Sequence, residues 1–375
     1  MPSPIALFRR FPELEAAVPW TVLGQWPTPV EPLTGVRRAL GCGPVYVKRE
    51  DRSSTAFGGN KVRTLEGLFG VAIDHGADRI WTTGAYGSNH ACAMALHAEQ
   101  AGIECGAVVF PQPPGDSSCA NFLALASTRC RIVRLWNVTA LPFAMLSLWR
   151  DYRRGGERPY LMTPGGAIPA GALGHVSGAI EFAEQIEAGE CPAPRQVVLA
   201  CGSTCTTAGL MVGFQLAARL GIGFGAGKAP VPDIVAVRVT PWPITTATNI
   251  TVLARATSRM LVRTIGVTGD FDYRTLRRMV RVDTRFFGAG YGRPTTAGAE
   301  ARKLFAEGGG PPLDQVYSEK SGAAVLAMLR ENQPGPIVYW ATRTSVPLPE
   351  PNPAQRAAID PGIQRWLRKR RPPAR

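Results

Sequence analysis

Short apolar runs alternate with helix-forming segments along most of the chain, and this alternation constrains the fold more than any other feature. Glycine, proline or polar residues bound the runs. Strands that alternate with helices are typical of α/β proteins with parallel sheets. The sequence therefore predicts an α/β fold of two doubly wound domains with mainly parallel sheets. The predicted strands are residues 79–83, 105–110, 196–200, 233–239 and 336–340, and the predicted helices are residues 62–70, 91–101 and 207–220.

Chain length and the positions of proline and glycine predict how the strands and helices are divided into domains. The 375 residues suffice for about two domains, and a hydrophobic content of 45% supplies a large core. A proline- and glycine-rich stretch at 164–174 marks the return from an inserted domain. We predict a large domain of residues 1–64 and 173–349 and a small inserted α/β domain of residues 65–172. Residues 350–375 are predicted to form a basic tail, rich in proline and arginine, that does not pack.

Composition argues against several classes of protein. No stretch approaches the roughly 20 apolar residues of a membrane-spanning helix. Acidic residues stand where a signal peptide would be apolar, so we expect a cytoplasmic protein. The eight cysteines lack the spacing of metal ligands and are expected to be free thiols, without a metal site. The net charge of +14 is spread along the chain, mainly as arginine, and does not favour nucleic-acid binding.

Lysine is rare in this chain, and one lysine follows a pair of glycines. Residues 57–63 read FGGNKVR. Two glycines allow a sharp backbone bend, so the side chain of Lys61 can project into a cleft. The alternative is an ordinary exposed lysine at the start of the helix predicted for residues 62–70.

Two loops rich in glycine and hydroxyl residues lie between a predicted strand and a predicted helix. They read TGAYGSNH at 83–90 and ACGSTCTTAGL at 200–210. The N–H groups at a helix N-terminus stabilise anions, so the first loop suits a carboxylate and the second a phosphate. Helix capping by Ser88 or Asn89 is the structural alternative for the first loop and is compatible with anion binding. The second loop is neither a Walker A loop nor a GxGxxG dinucleotide loop.

These segments together resemble the 1-aminocyclopropane-1-carboxylate deaminase and D-cysteine desulfhydrase family, within the tryptophan-synthase-β-like pyridoxal-phosphate enzymes. The most specific match is KRED at 48–51 with GGNKVRTLE at 58–66. The resemblance begins with WPTPVEPL at 26–33 and includes GAGYGRPT at 288–295 and LDQVYSEK at 313–320. It implies a tryptophan-synthase-β-like fold, pyridoxal 5'-phosphate as the cofactor, a small amino acid as the substrate, and a homodimer.

The resemblance also implies roles for individual residues. Lys61 holds the cofactor as a Schiff base, residues 88–90 meet the substrate carboxylate and the cofactor 3-hydroxyl, and Ser318 meets the pyridine nitrogen. Without the resemblance, Tyr291 and Tyr317 would be half-buried core aromatics. The implied catalytic residues are Lys61, Ser88, Tyr291 and Tyr317. The implied cofactor-binding residues are Lys61, Asn89, Gly202, Ser203, Thr204, Cys205, Thr206 and Ser318. The implied substrate-binding residues are Ser88, Asn89, His90, Tyr291 and Tyr317.

Position 318 distinguishes two branches of this family. A carboxylate there keeps the pyridine protonated and suits ring opening, whereas the hydroxyl of Ser318 suits loss of a good leaving group from the β-carbon. His90 stands where the deaminases resemble one another in having glutamine. The sequence therefore favours β-elimination and deamination of a small amino acid to a 2-oxo acid and ammonia, as by a D-cysteine desulfhydrase. Ring opening of 1-aminocyclopropane-1-carboxylate is the alternative.

Departures from the family pattern keep a third possibility open, a pyridoxal-phosphate or metabolite-binding protein that has lost catalysis. Thr204 and Cys205 replace two glycines of the phosphate loop, which narrows the accessible backbone angles. WATRT at 340–344 stands where the family has an HTGG segment. His175 replaces the tyrosine that follows Gly174 in the family.

Overall fold

The computed structural model describes residues 3–266 and 271–369, and within them ten strands form two sheets. The strands of the larger sheet are β1 (Val30–Pro32), β2 (Val45–Lys48), β7 (Gln196–Cys201), β8 (Asp233–Arg238), β9 (Val280–Asp283) and β10 (Ile337–Trp340). The strands of the smaller sheet are β3 (Arg79–Ala85), β4 (Cys105–Phe110), β5 (Arg131–Arg134) and β6 (Pro159–Leu161).

Helices separate the strands in the chain. The first eight are α1 (Ala6–Arg10), α2 (Pro12–Ala17), α3 (Thr34–Leu40), α4 (Lys61–Asp74), α5 (Asn89–Gln100), α6 (Asp116–Ala126), α7 (Leu141–Arg154) and α8 (Pro169–Glu187). The remaining seven are α9 (Cys205–Arg219), α10 (Ala247–Ile265), α11 (Tyr273–Arg278), α12 (Thr296–Glu307), α13 (Ser318–Arg330), α14 (Pro353–Ala357) and α15 (Pro361–Arg368). In the described ranges, none of these helices combines the length and apolarity needed to cross a membrane.

The larger sheet has the strand order β1-β2-β10-β7-β8-β9, and only β1 runs antiparallel to its neighbour. The interior residues of its central strands are apolar because both faces are covered. In β7, Val197 and Leu199 pack into a core on one face, while Val198 packs into a second core on the other. This alternation follows from the two-residue period of a strand.

The smaller sheet has the order β5-β4-β3-β6, and all its strands are parallel. Ile80 and Ala107 contribute to the core on one face, and Trp81 and Val108 to the core on the other. The two parallel sheets confirm the predicted α/β fold with mainly parallel sheets. The exact domain boundaries, 64/65 and 172/173, stay a prediction.

All five predicted strands are present, with bounds that differ by at most two residues from those expected. The predicted helices correspond to α4, α5 and α9. Five strands, β1, β2, β5, β6 and β9, were not predicted; each has three or four residues and carries charged residues or proline. Such short segments lack a clear period in sequence, and tertiary pairing decides their conformation.

The prediction that the C-terminal tail does not pack was wrong for the part that the structure describes. Helix α15 lies against the smaller sheet's domain, and Ile363 and Trp366 are buried in its core. The sequence RWLRKRR reads as a solvated run because arginines surround the apolar residues. Ile363 and Trp366 are three residues apart and therefore lie on one face of a helix. A count of charged residues does not reveal that face. Residues 370–375 lie outside the described residues.

Candidate active site

A diglycine bend places Lys61 at the start of α4. A Cβ atom on Gly58 would lie 2.1 Å from the carbonyl oxygen of Asp51, so only glycine fits this approach. Gly59 has φ of 99°, a left-handed conformation that glycine adopts without strain, and its N–H donates to the carbonyl oxygen of Glu50 (2.8 Å). The backbone bend that the glycine pair predicted is therefore present, and it delivers Lys61 as the first residue of the helix.

The amine of Lys61 faces the loop that precedes α9. Its Nζ donates to Oγ of Ser203 (3.0 Å) and to the carbonyl oxygen of Gly165 (3.1 Å). The residue is half-buried, as a cleft-lining residue is. Desolvation lowers the pKa of this amine. Within residues 3–266 and 271–369 no carboxylate forms an ion pair with it, so no ion pair offsets the effect of burial on the charged form.

The loop 202–206 ends at the N-terminus of α9, whose first N–H groups lack acceptors within the helix. Gly202 and Ser203 are half-buried, and Thr204, Cys205 and Thr206 are buried. A Cβ atom on Gly202 would meet no atom closer than 3.5 Å, so the loop is open at this point. Thr204 has φ of 68°, which means that the chain keeps the left-handed backbone that glycine would favour here.

A chain of hydrogen bonds joins this loop to the lysine bend. Nδ2 of Asn60 donates to Oγ1 of Thr206 (2.7 Å). Nε2 of His175 lies 3.3 Å from the same hydroxyl and 2.9 Å from Oγ1 of Thr64. Burial holds the pKa of His175 well below its usual range, so the ring is neutral. His175, which replaces the family's tyrosine, therefore connects α8 to α4 and α9 by hydrogen bonds.

The loop 86–90 leads into α5. Oγ of Ser88 accepts from the N–H of Ala91 (3.3 Å), so Ser88 caps α5. Oδ1 of Asn89 accepts from Nδ2 of Asn121 (2.5 Å). Ser88 and Asn89 remain half-buried, so the two residues are both held in place and accessible.

His90 is buried, yet neither of its ring nitrogens has a hydrogen-bond partner among the described residues. Burial, and then the charge of Lys61, keeps the pKa of His90 well below its usual range. A Cβ atom on Gly166 would lie 3.5 Å from Cε1 of His90, and Gly166 follows the glycine that accepts from Lys61. Buried polar groups are seldom left unpaired unless a ligand completes them.

Tyr291 and Tyr317 form a pair at the wall of the same cleft. Their hydroxyl oxygens lie 2.5 Å apart, and their ring centroids 6.0 Å apart in an edge-to-face arrangement. A Cβ atom on Gly202 would be 3.9 Å from Cε1 of Tyr317, which places the pair beside the phosphate-type loop. Burial raises the pKa of Tyr291 to about 12 and holds that of Tyr317 well above its usual range, so both phenols keep their protons.

Ser318 is buried at the first position of α13. Its hydroxyl donates to Oδ1 of Asp314 (2.7 Å), and its Oγ accepts from the N–H of the same residue (2.5 Å). The neighbouring Glu319 points to Arg302 (3.3 Å), and desolvation raises its pKa to about 7. The side chain at position 318 is therefore a hydroxyl in a fixed orientation, and the adjacent carboxylate is engaged elsewhere.

The KRED segment and Arg63 form a buried ionic cluster beneath α4. Glu181, on α8, accepts from Nζ of Lys48 (2.5 Å) and from Nη2 of Arg63 (2.9 Å). Nε of Arg63 also pairs with Glu50 (2.7 Å), and its guanidinium lies 3.7 Å from the ring centre of Trp26. The most specific part of the sequence signature thus holds the first turn of α4 against α8.

The segment 340–344 stabilises the diglycine bend by two hydrogen bonds, one to a backbone carbonyl and one to a side-chain hydroxyl. The carbonyl oxygen of Thr342 accepts from the N–H of Asn60 (3.1 Å), and Oγ1 of Thr344 accepts from the N–H of Gly58 (3.0 Å). The altered sequence of this segment therefore still supports the lysine that the bend presents.

Several residues of the cleft were not predicted from the sequence. In the sequence, Asn60 is only part of the lysine motif, Gly165 belongs to the stretch that marks a domain boundary, and Asn121 gives no signal. Thr245 was also missed; its hydroxyl donates to the carbonyl oxygen of Gly202 (2.7 Å) and fixes the loop from outside. A polar residue next to a glycine turn was a usable signal for Asn60, whereas Asn121 and Thr245 approach only through the tertiary fold.

Comparisons with known proteins agree with this arrangement. The model of the family described as "Pyridoxal-phosphate dependent enzyme" matches residues 22–342. D-cysteine desulfhydrases of Salmonella newport and Salmonella typhimurium are each 32% identical to this chain over 351 residues, which covers 90% of this chain and 96% of the relative.

Solved structures share the fold. The structure of an ACC deaminase homologue has a TM-score of 0.71 and 25% identity, and the match covers 93% of this chain and 96% of that one. The processed form of threonine deaminase isoform 2 from Solanum lycopersicum has a TM-score of 0.56 at 15% identity, over 89% of this chain and 89% of its own, and shows the fold alone. Because the family model and these relatives span most of its length, the chain belongs to the family of pyridoxal-phosphate-dependent enzymes.

Proposed function

We propose that this pyridoxal-phosphate enzyme eliminates a β-substituent from a small amino acid and releases a 2-oxo acid and ammonia, in the manner of a D-cysteine desulfhydrase. The observation that carries the proposal is the amine of Lys61, which has no carboxylate partner among the described residues and lies 3.0 Å from Oγ of Ser203 at the loop that opens α9. No other lysine of the described chain combines a cleft position with such a loop.

The residues of the cleft fit the cofactor. An amine with a lowered pKa is available to bond to an aldehyde. The N–H groups at the start of α9, with the open position at Gly202, suit a phosphate. The ring nitrogens of His90 are buried and unpaired among the described residues, so they are able to form hydrogen bonds with a bound molecule. Lys61 would hold the cofactor covalently, and residues 202–206 would hold its phosphate, mainly through backbone N–H groups since three of the four side chains in this loop are buried.

The bound cofactor supplies an electron sink for the pair left at Cα when the substrate loses its proton. Lys61 takes up that proton at Nζ, because desolvation lowers the pKa of the amine and favours its neutral form. The carbonyl oxygen of Gly165 and the hydroxyl of Ser203 orient the amine while it does so.

The loop 88–90 positions the substrate. Ser88, Asn89 and the N–H groups at the start of α5 would hold its carboxylate, with His90 beneath them as a neutral hydrogen-bonding ring. Tyr291 and Tyr317 keep their protons, so one phenol donates to the other and leaves one O–H for the substrate. That O–H is suited to a leaving group at the β-carbon.

The hydroxyl of Ser318 supports elimination over ring opening, because the residue that the family resemblance would place at the pyridine nitrogen would then offer no carboxylate. A Ser318→Glu variant tests this assignment. We expect it to lose oxo-acid formation from β-substituted amino acids, since protonation of the ring would change. Ring opening of 1-aminocyclopropane-1-carboxylate by the wild type, at a rate above that for D-cysteine, would contradict the assignment.

Oxo-acid and ammonia release from a panel of D- and L-amino acids tests the function as a whole. We expect turnover of β-substituted substrates, D-cysteine among them, and none of alanine, which has no leaving group. A protein that binds pyridoxal phosphate, shows the absorbance of the lysine-bound cofactor and turns over nothing in the panel would be the catalytically degenerate binding protein instead.

We also propose that the enzyme works as a cytoplasmic homodimer. All eight cysteines are free thiols, seven of them buried, which suits a reducing compartment. A row of apolar side chains on and before α7 is exposed to solvent, which is typical of a surface that a partner covers. These side chains are Trp136, Val138, Phe143, Leu146 and Trp149. Sedimentation of the wild type against a Phe143→Asp variant would show whether this surface forms the dimer.

A further inference from the structure

The C-terminal helix α15 lies outside the family match, which ends at residue 342, and it packs behind the loop that opens α5. We infer that Trp366 is a positioning residue, which holds the loop 86–90 in the geometry that binds the substrate carboxylate. The inference rests on the proposed function for the role of that loop. Trp366 reaches the loop through Tyr86, Phe122 and Gln112.

Aromatic packing forms the first link. The ring of Trp366 lies 5.2 Å from that of Tyr86 and 6.1 Å from that of Phe122, both edge to face. Tyr86 and Phe122 are themselves in edge-to-face contact at 6.4 Å. Three rings in mutual contact restrict each other's orientation, and Tyr86 is the first residue of the loop.

A hydrogen-bond relay forms the second link. Nε1 of Trp366 donates to the carbonyl oxygen of Gln112 (2.6 Å). The side chain of Gln112 accepts from the N–H of Gly87 (3.4 Å). One residue thus connects the C-terminal helix to the loop position immediately before Ser88. Gln112 is buried, so water does not compete readily for these bonds.

Polar anchors hold the C-terminal segment in place. Asp360, the N-cap of α15, pairs with Nε of Arg134 (2.7 Å). Nε2 of Gln355, in α14, donates to the carbonyl oxygen of Ser127 (2.7 Å). The tyrosine hydroxyl of the loop donates to the carbonyl oxygen of Leu135, next to Arg134 (3.3 Å). The segment is therefore fixed to the same part of the small domain as the loop.

A displacement of about 1 Å in a binding group costs up to about 100-fold in activity. Loss of the Trp366 ring removes both links at once, so we expect the loop to move while Lys61 and the phosphate-type loop keep their places. Trp366→Phe keeps a ring for the aromatic contacts and removes only the N–H donor, so its effect should be intermediate.

The test compares Trp366→Ala and Trp366→Phe with Leu148→Ala. Leu148 is a buried residue in the core on the opposite face of the small sheet and serves as a matched destabilising control. For Trp366→Ala we expect KM for the amino acid to rise at least about tenfold with a smaller change in kcat. Leu148→Ala should lower the melting temperature and leave KM unchanged. An equal rise in KM in both alanine variants, or no rise in Trp366→Phe and Trp366→Ala, would overturn the inference.

Hydrogen exchange of the cofactor-free protein supplies a readout that needs no turnover. Peptides that contain residues 86–90 should exchange at least about tenfold faster in Trp366→Ala than in the wild type, and peptides that contain residues 202–206 should not change. Unchanged exchange at 86–90 would reject the positioning role. Absence of turnover by the wild type would reject the proposed function and leave the exchange result to decide this inference separately.

Discussion

Lys48 and Lys61 lie near one another in sequence, but their surroundings differ. Lys48 is fully buried, and its Nζ contacts the carboxylate of Glu181 and the side-chain oxygen of Gln185. Lys61 is half-buried, and its Nζ contacts only the hydroxyl of Ser203 and a backbone carbonyl among the described residues. A buried carboxylate holds the first lysine as a charged structural group. Without such a partner, the second is available as a neutral amine.

The difference shows that burial alone does not make a lysine reactive. Desolvation lowers the pKa of both amines. For Lys48, the charge of Glu181 opposes this effect and keeps the pair ionised; for Lys61, no carboxylate does. The same substitution at each site, lysine to methionine, keeps the approximate length of the side chain and removes the amine, so it separates the two roles.

Lys61→Met should have the largest effect on activity. Loss of the attachment point and the base is expected to lower turnover by a factor of about 100 to 10,000 or more. The absorbance of the lysine-bound cofactor should disappear, and borohydride should no longer fix the cofactor to the protein. Unfolding of the cofactor-free variant should require no less denaturant than that of the wild type, because no ion pair is lost. Full turnover by this variant would remove Lys61 from the mechanism.

Lys48→Met should have the opposite profile. Removal of one partner from a buried ion pair is expected to lower the free energy of unfolding by about 3–5 kcal/mol. Urea unfolding of the cofactor-free protein measures this loss. The folded fraction should still attach the cofactor to Lys61. A Lys48→Met variant as stable as the wild type would show that Arg63 alone satisfies Glu181.

The acid limb of the stability curve should reveal the same cluster. Burial by itself would raise the pKa of Glu181, but the charges of Arg63 and Lys48 outweigh it and hold the pKa at about 2. A carboxyl with a lowered folded pKa contributes stability above its unfolded pKa and loses it as pH falls. We expect about 3 kcal/mol to be lost between about pH 4.5 and pH 2.

Urea unfolding over that pH range, with Glu181→Gln as the variant, measures the contribution. The variant should be less stable than the wild type near neutral pH and should lose less stability on acidification. Glu300→Gln removes an exposed pair with Arg330 and is the control, since surface pairs contribute at most about 1 kcal/mol. An acid limb that is identical in wild type and Glu181→Gln would contradict the assignment.

Relief of the backbone strain at Thr204 should have the smallest effect, and that effect is on the free energy of unfolding. Thr204 has φ of 68°, where a non-glycine residue costs about 1–2 kcal/mol, and the chain entropy of glycine offsets part of the strain that its introduction relieves. Thr204→Gly is therefore expected to raise the free energy of unfolding by about 0.5–1 kcal/mol. Thr207→Gly, within α9, should lower it by about 1–3 kcal/mol, because it also removes a buried side chain and its hydrogen bond. A destabilised Thr204→Gly protein would mean that the threonine side chain, and not its backbone, matters there.

The alternation of apolar runs with helical segments was sufficient to predict an α/β fold with mainly parallel sheets. The glycine pair before Lys61 likewise predicted a bend that presents the lysine, because glycine allows a sharp bend and, at Gly58, a close backbone contact that a Cβ atom would prevent. These are local properties, set by residue type and spacing. They survive in any tertiary context that keeps the chain folded.

The tertiary structure decided the rest, because contacts between distant segments leave no local pattern. Asn121 reaches Asn89, and Trp366 reaches the loop at Tyr86 from a segment that the charge pattern marked as solvated. The carboxylate that pairs with Lys48, and that Lys61 lacks, comes from α8, far away in the chain. The sequence by itself determined which lysine follows a sharp bend. Only the folded chain determined which lysine has an acidic partner, and the lack of one at Lys61 favours the neutral amine on which the proposed chemistry depends.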